Sequence, residues 1–205
     1  MNDINEAYRP CFYRLENYSE EDVQEILSSI RQISLTIDKE DRKGFAITPM
    51  WGHYANKDEG VCLVFDKNKL EEHLHDKEIK YKEISYCRGY DRSIEISGES
   101  VDSLFAKNSD NLFFTKSDAW QYEQEFRILA QDGRDKLNFG DSIIGIILYK
   151  APDTDYLRDS EYTKSLQTIA PNIPILEFSD FRGEIQLIDN NSNDWLADTN
   201  FEIDI

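Results

Sequence analysis

Hydrophobic positions along the chain change their period from segment to segment, and each change marks an element. Val23, Ile26, Leu27, Ile30 and Ile33 recur at three- and four-residue intervals, the signature of a helix with one apolar side. Ser19, with Asp22 three residues on, supplies an imperfect capping box, so the pattern predicts a helix over 19–33. Residues 33–37 are expected to run on as a strand. Short apolar runs at 61–65 (VCLVF), 79–87, 142–149 (SIIGIILY), 173–178 and 184–188 read as strands, and CFYRL at 11–15 as a further short one. The run at 142–149 is the most apolar in the chain and is expected to be central in its sheet. Asp66 is placed to cap a short helix over 68–75, and Gly60 to allow a tight entry into the strand after it. Helices are also expected over 101–107 and 153–170, the latter with Tyr156, Leu157, Tyr162, Leu166 and Ile169 inward. Charged or polar stretches at 38–43, 91–100 and 132–135 read as turns and loops.

Strands and helices mix without a βαβ rhythm, and neither GxGxxG nor GxxxxGKS occurs. The expected fold is therefore α+β: a single domain over 1–188 with mixed or antiparallel sheets and flanking helices. Residues 189–205 carry five acidic and no basic side chains and read as a peripheral acidic tail.

The stretch WQYEQEFRIL (120–129) breaks the ordinary pattern. As a strand over 123–129, one face carries Gln124, Phe126 and Ile128 and the other Glu123, Glu125 and Arg127. Two carboxylates two residues apart stand roughly 7 Å from each other and repel, which Arg127 partly offsets. Such a face is either a solvated strand surface or a cleft wall where paired carboxylates do chemistry, rimmed by Trp120 and Tyr122.

Charge narrows the choice. A formal net charge of −18 gives the chain no general affinity for phosphate backbones and suits a basic protein partner or plain solubility. Cys11, Cys62 and Cys87 form no CxxC, and His53, His73 and His75 no HxxxH, so neither a zinc site nor a disulfide framework is expected. No leader and no bilayer-spanning apolar run is read, which makes the cytoplasm the expected location.

Two segments together carry a resemblance. PMWGHYANKDEGVCLVFD (49–66), followed by FFTKSDAWQYEQEFRI (113–128), resembles an uncharacterised bacterial family, the domain of unknown function 2971. The resemblance rests on Met50, Trp51, His53, Tyr54, Ala55, Gly60 and Asp66, then on Lys116, Trp120, Tyr122, Glu123, Glu125, Phe126 and Arg127, and spans roughly 45–188. FYRL echoes the Tyr-Arg strand that opens the family, whereas its Asn-Asp-Pro-Phe segment is absent here.

Glu-x-Glu at the entrance to an apolar strand is also similar to the signature of arginine-directed ADP-ribosyltransferases. That similarity implies an ADP-ribosyltransferase-like fold and NAD as a consumed substrate. It gives Glu125 the role of contacting the nicotinamide-side ribose and Glu123 that of serving the acceptor. It further implies an upstream strand Arg or His that holds NAD, here Arg14 or His53. Trp51, Tyr54 and Trp120 are candidates to stack on the nicotinamide ring, and Arg127 lines the same face. The structural alternatives are core packing for Trp51 and Trp120, a hydrogen-bonded core or loop histidine for His53, and a helix cap for Asp66.

The expected function is an NAD-consuming transferase or glycohydrolase of bacterial defence or toxin type. Its acceptor is a protein or nucleic acid, an antitoxin or other protein is a possible partner, and no membrane is involved. The alternatives are a metal-dependent hydrolase or nuclease using Glu123, Glu125, His53 and Asp66, and a non-catalytic interaction module.

Overall fold

A computed structural model describes residues 20–40, 42–55, 60–75, 79–88, 100–149, 161–179 and 184–187. In chain order the elements are α1 (Glu20–Ser29), β1 (Arg31–Thr36), a 3-10 turn (Gly44–Ala46), α2 (Thr48–Tyr54), β2 (Val61–Phe65) and α3 (Lys67–His73). Then come β3 (Ile79–Glu83), β4 (Ser85–Cys87), α4 (Val101–Phe113), β5 (Thr115–Ser117), a 3-10 helix (Asp118–Glu123) and β6 (Glu125–Ala130). The last are β7 (Ile143–Tyr149), α5 (Glu161–Ile169), β8 (Ile175–Ser179) and β9 (Glu184–Leu187). The architecture is α+β, as the pattern predicts. The chain forms two compact units interleaved in sequence: Met1–Gly44 with Leu74–Asn138, and Phe45–His73 with Phe139–Ile205. The expected strand at 11–15 and the acidic tail at 189–205 lie outside the described residues.

In the first unit β6 runs between β1 and β3, antiparallel to both, and every one of its residues is buried. The helix expected over 19–33 ends at Ser29, whose carbonyl accepts the Gly133 N–H at 2.8 Å. Residues 31–36 pair with β6 instead, so the apolar Ile33 lies opposite Ile128. The single strand expected over 79–87 is two strands in different sheets, β3 beside β6 and β4 parallel to β5, with buried Ile84 between them. Helix α4 is longer than expected, because polar Asn108 and Ser109 occupy buried positions and interrupt the apolar pattern. Ser109 is satisfied there by Lys80 Nζ at 3.3 Å. Phe105, Leu112, Phe113, Phe114, Ile84 and Leu129 form this unit's core, with Leu27, Ile30 and Tyr86 against it.

In the second unit the strand order is β2-β7-β8-β9, so the most apolar run is an inner strand as expected. β7 and β8 are parallel, and the other pairs are antiparallel. Asp66 does cap α3: its Oδ1 accepts the Lys69 N–H at 3.1 Å. The Gly60 N–H donates to the Ala55 carbonyl at 2.9 Å. A Cβ on Gly60 would meet the Ala55 Cα at 2.5 Å, which is the tight entry expected there. The expected inward face of the 153–170 helix is corrected. Tyr156 and Leu157 lie outside the described residues, and Tyr162 and Ile169 are exposed. The covered side runs through buried Thr163, then Leu166 and Ala170, a face rotated by about one residue from the expected one. Among the described residues no helix is long and apolar enough to cross a membrane.

Candidate functional site

The two carboxylates of the Glu-x-Glu segment do not share a strand. Glu123 ends the 3-10 helix Asp118–Glu123, and Glu125 begins β6. Between them Gln124 is left-handed, with φ 47 and ψ 47. Its N–H donates to the Gln121 carbonyl at 3.2 Å, and its own carbonyl accepts the Ile37 N–H at 3.0 Å. The expectation of one strand over 123–129 is corrected accordingly. The left-handed residue turns the chain, so strand alternation no longer decides where the two carboxylates go.

They converge all the same. Lys116 Nζ, on β5, donates to Glu123 Oε2 at 2.5 Å and to Glu125 Oε2 at 3.4 Å. Arg127 grips Glu125 with two parallel bonds, Nε to Oε1 at 2.7 Å and Nη2 to Oε2 at 3.0 Å. Its Nη1 donates to the Phe113 carbonyl at 2.5 Å. Lys116 Nζ also lies 5.0 Å from the Trp120 ring centroid, and that ring is 6.0 Å from Tyr122.

Neither a solvated face nor an open wall describes this arrangement. Lys116, Glu123, Glu125 and Arg127 are all buried, none more than 4% exposed. Two carboxylates and two cations sum to zero, which is the condition under which four ions tolerate burial. Burial pushes the Glu125 carboxyl upward, but the Arg127 hydrogen bonds and charge, with Ser34 and Lys116, outweigh it and hold Glu125 below its ordinary value. Glu125 is therefore ionised at neutral pH. Its backbone N–H donates to the Tyr86 hydroxyl at 2.9 Å. Desolvation pushes that phenol up to about 12; the Glu125 and Glu123 charges push the same way, and the Glu125 backbone bond opposes them. Tyr122 is likewise raised, by desolvation first and then by the Glu123 charge.

Of the residues singled out in the sequence, the structure brings Glu123, Glu125, Arg127 and Trp120 together in the first unit. Trp51, His53 and Tyr54 belong to the second. Trp51 is a core residue, in keeping with the packing alternative for it. It is 5% exposed, packs on Tyr149 and Phe178 at 5.3 and 6.2 Å between centroids, and donates its indole N–H to the Phe45 carbonyl at 2.7 Å. His53 lies in helix α2 rather than in the strand expected to carry it. Tyr54, 6.3 Å from His53 between ring centroids, is exposed. Arg14 lies outside the described residues. Among the described residues no group of three or more His, Cys, Asp or Glu side chains is placed to hold a metal ion.

Lys116, Tyr86 and Ser34 are the site residues to which the sequence assigned no role. Lys116 stands in the motif that carries the family resemblance. Nothing local marks Tyr86 or Ser34, because each arrives on a separate strand.

The fold and site thus define an α+β protein with a buried, charge-neutral carboxylate pair at the head of a central strand. Residues 50–128 match the model of a family described as "Protein of unknown function (DUF2971)". The match includes Met50, Trp51 and His53 of the first motif and runs through the whole 3-10 helix into β6. No curated protein and no solved structure matches the chain.

Proposed function

We propose that the chain is an NAD-consuming ADP-ribosyltransferase or NAD glycohydrolase of bacterial defence or toxin type, with Glu125 and Glu123 as its carboxylate pair. The observation that supports this reading is the convergence of both carboxylates on a single cation, with Glu125 held ionised. When the bond between ribose and nicotinamide breaks, its electron pair leaves with nicotinamide and positive charge develops on the ribosyl carbon. An ionised carboxylate in a low-dielectric site stabilises that charge. Glu125 fills this role, and Glu123 takes the proton of the water or acceptor that adds to the ribosyl carbon. Because both carboxylates are buried against Lys116, the Lys116 side chain must swing aside for NAD to reach them.

One observation favours a second reading, a non-catalytic interaction module. The same four charges already satisfy one another out of contact with water, as a purely structural network would. Nicotinamide release separates the two. On the first reading the folded wild type liberates nicotinamide from NAD and Glu125→Gln lowers the rate by roughly 10²–10³. Glu123→Gln lowers transfer to an acceptor by roughly 10²–10⁴ while slow hydrolysis survives. On the second reading neither wild type nor variants release nicotinamide, and the substitutions change stability alone.

A further inference from the structure

Gln124 combines two unfavourable features, a left-handed backbone at the C-cap of the 3-10 helix and an orphaned side-chain acceptor. Its backbone is left-handed, a conformation that glycine or asparagine adopts at less cost. Its side-chain Oε1 is sealed from solvent with no hydrogen-bond partner among the described residues. The residue itself is only half-buried, so part of it remains within reach of a ligand. It also sits between the two carboxylate-bearing residues. Strain and an orphaned acceptor in one residue, at the junction that positions a reactive pair, are what a binding residue shows before its ligand arrives.

We infer that Gln124 is a substrate-positioning residue whose carboxamide recognises a primary carboxamide, the one carried by the nicotinamide of NAD. This inference rests on the NAD-consuming reading above. A primary carboxamide is the group that complements a glutamine side chain at two points. Once the half-buried side chain turns its carboxamide outward, the ligand N–H fills the orphaned Oε1 and the ligand carbonyl accepts from Gln124 Nε2. A carboxylate in the same place cannot donate to Oε1. The site therefore discriminates NAD from its nicotinic-acid counterpart, which differs only in carrying a carboxylate for the carboxamide.

The test compares binding of those two dinucleotides to wild type, Gln124→Gly and Gln124→Leu by calorimetry, with thermal melts of each protein. Wild type is expected to prefer NAD by about 10²-fold or more, since a ligand that leaves a buried polar group unpaired is strongly rejected. Both variants are expected to bind NAD about tenfold or more weakly and to lose most of the preference, because a missing hydrogen bond costs about that factor. Gln124→Gly should melt no lower than wild type, since glycine relieves the left-handed backbone, and this separates lost recognition from lost folding. If wild type binds NAD and the variants keep its affinity and preference, the inference fails and the NAD reading stands. If folded wild type binds neither dinucleotide, both fail.

Discussion

At Glu125 two opposing forces set the behaviour of one carboxyl group. Burial favours its neutral form, and Arg127, Ser34 and Lys116 favour the charged one, with the net result downward. The sign of the stability effect follows. The unfolded carboxyl titrates near about 4.3. Because the folded value lies lower, Glu125 contributes stability that is fully present above the unfolded value and is lost as pH falls through the folded one. Removing one member of a buried ion network costs roughly 3–5 kcal/mol, so Glu125→Gln should be less stable than wild type by about that much at pH 7. Urea titrations should show the gap closing as pH drops below about 4, where protonation removes the charge from wild type too. A gap that does not change with pH would mean that the carboxylate charge is not what holds this cluster together. None of this is visible in the spacing of Glu123, Glu125 and Arg127. Alternation places the three on one face of a strand but is silent on whether water covers that face, and Lys116 closes it from β5.

At the scale of elements, apolar runs and turn residues carried most of the architecture. The strand at 61–65 lies where its run of VCLVF puts it, and the buried strand at 143–149 is inner because both its faces are apolar. The failures have local physical causes. Residues 79–87 form two strands because Ile84 is a buried hinge between partners that sequence patterning cannot see. Residues 123–129 fail as one strand because Gln124 takes a left-handed turn that side-chain propensity would assign to glycine or asparagine. Gly60 shows the opposite case, a position where local geometry was legible. A methyl group there would press on Ala55 at 2.5–2.6 Å. Gly60→Ala should therefore lose roughly 1–3 kcal/mol to overpacking and lower the melting temperature by several degrees. An unchanged melting curve would show that the 55–60 turn relaxes freely.

At the scale of the whole molecule, the net charge lies outside the buried quartet. The buried quartet is neutral, two cations against two carboxylates, while the chain as a whole carries −18. Excess negative charge outside the quartet repels itself, and salt screens exposed charges within a Debye length of about 10 Å at 0.1 M while leaving buried pairs nearly untouched. Raising sodium chloride from low to moderate concentration should thus raise the melting temperature at neutral pH. A fall instead would assign net stability to exposed pairs such as Lys39–Glu83 and Lys82–Asp110, at 3.0 and 2.6 Å. The assignment of function has a more direct test. Purified protein is incubated with NAD, and free nicotinamide is quantified for wild type and Glu125→Gln at a temperature where circular dichroism shows both folded. The account predicts nicotinamide release by wild type and a fall of roughly 10²–10³ in the variant; equal release by both, or none from folded wild type, would contradict it.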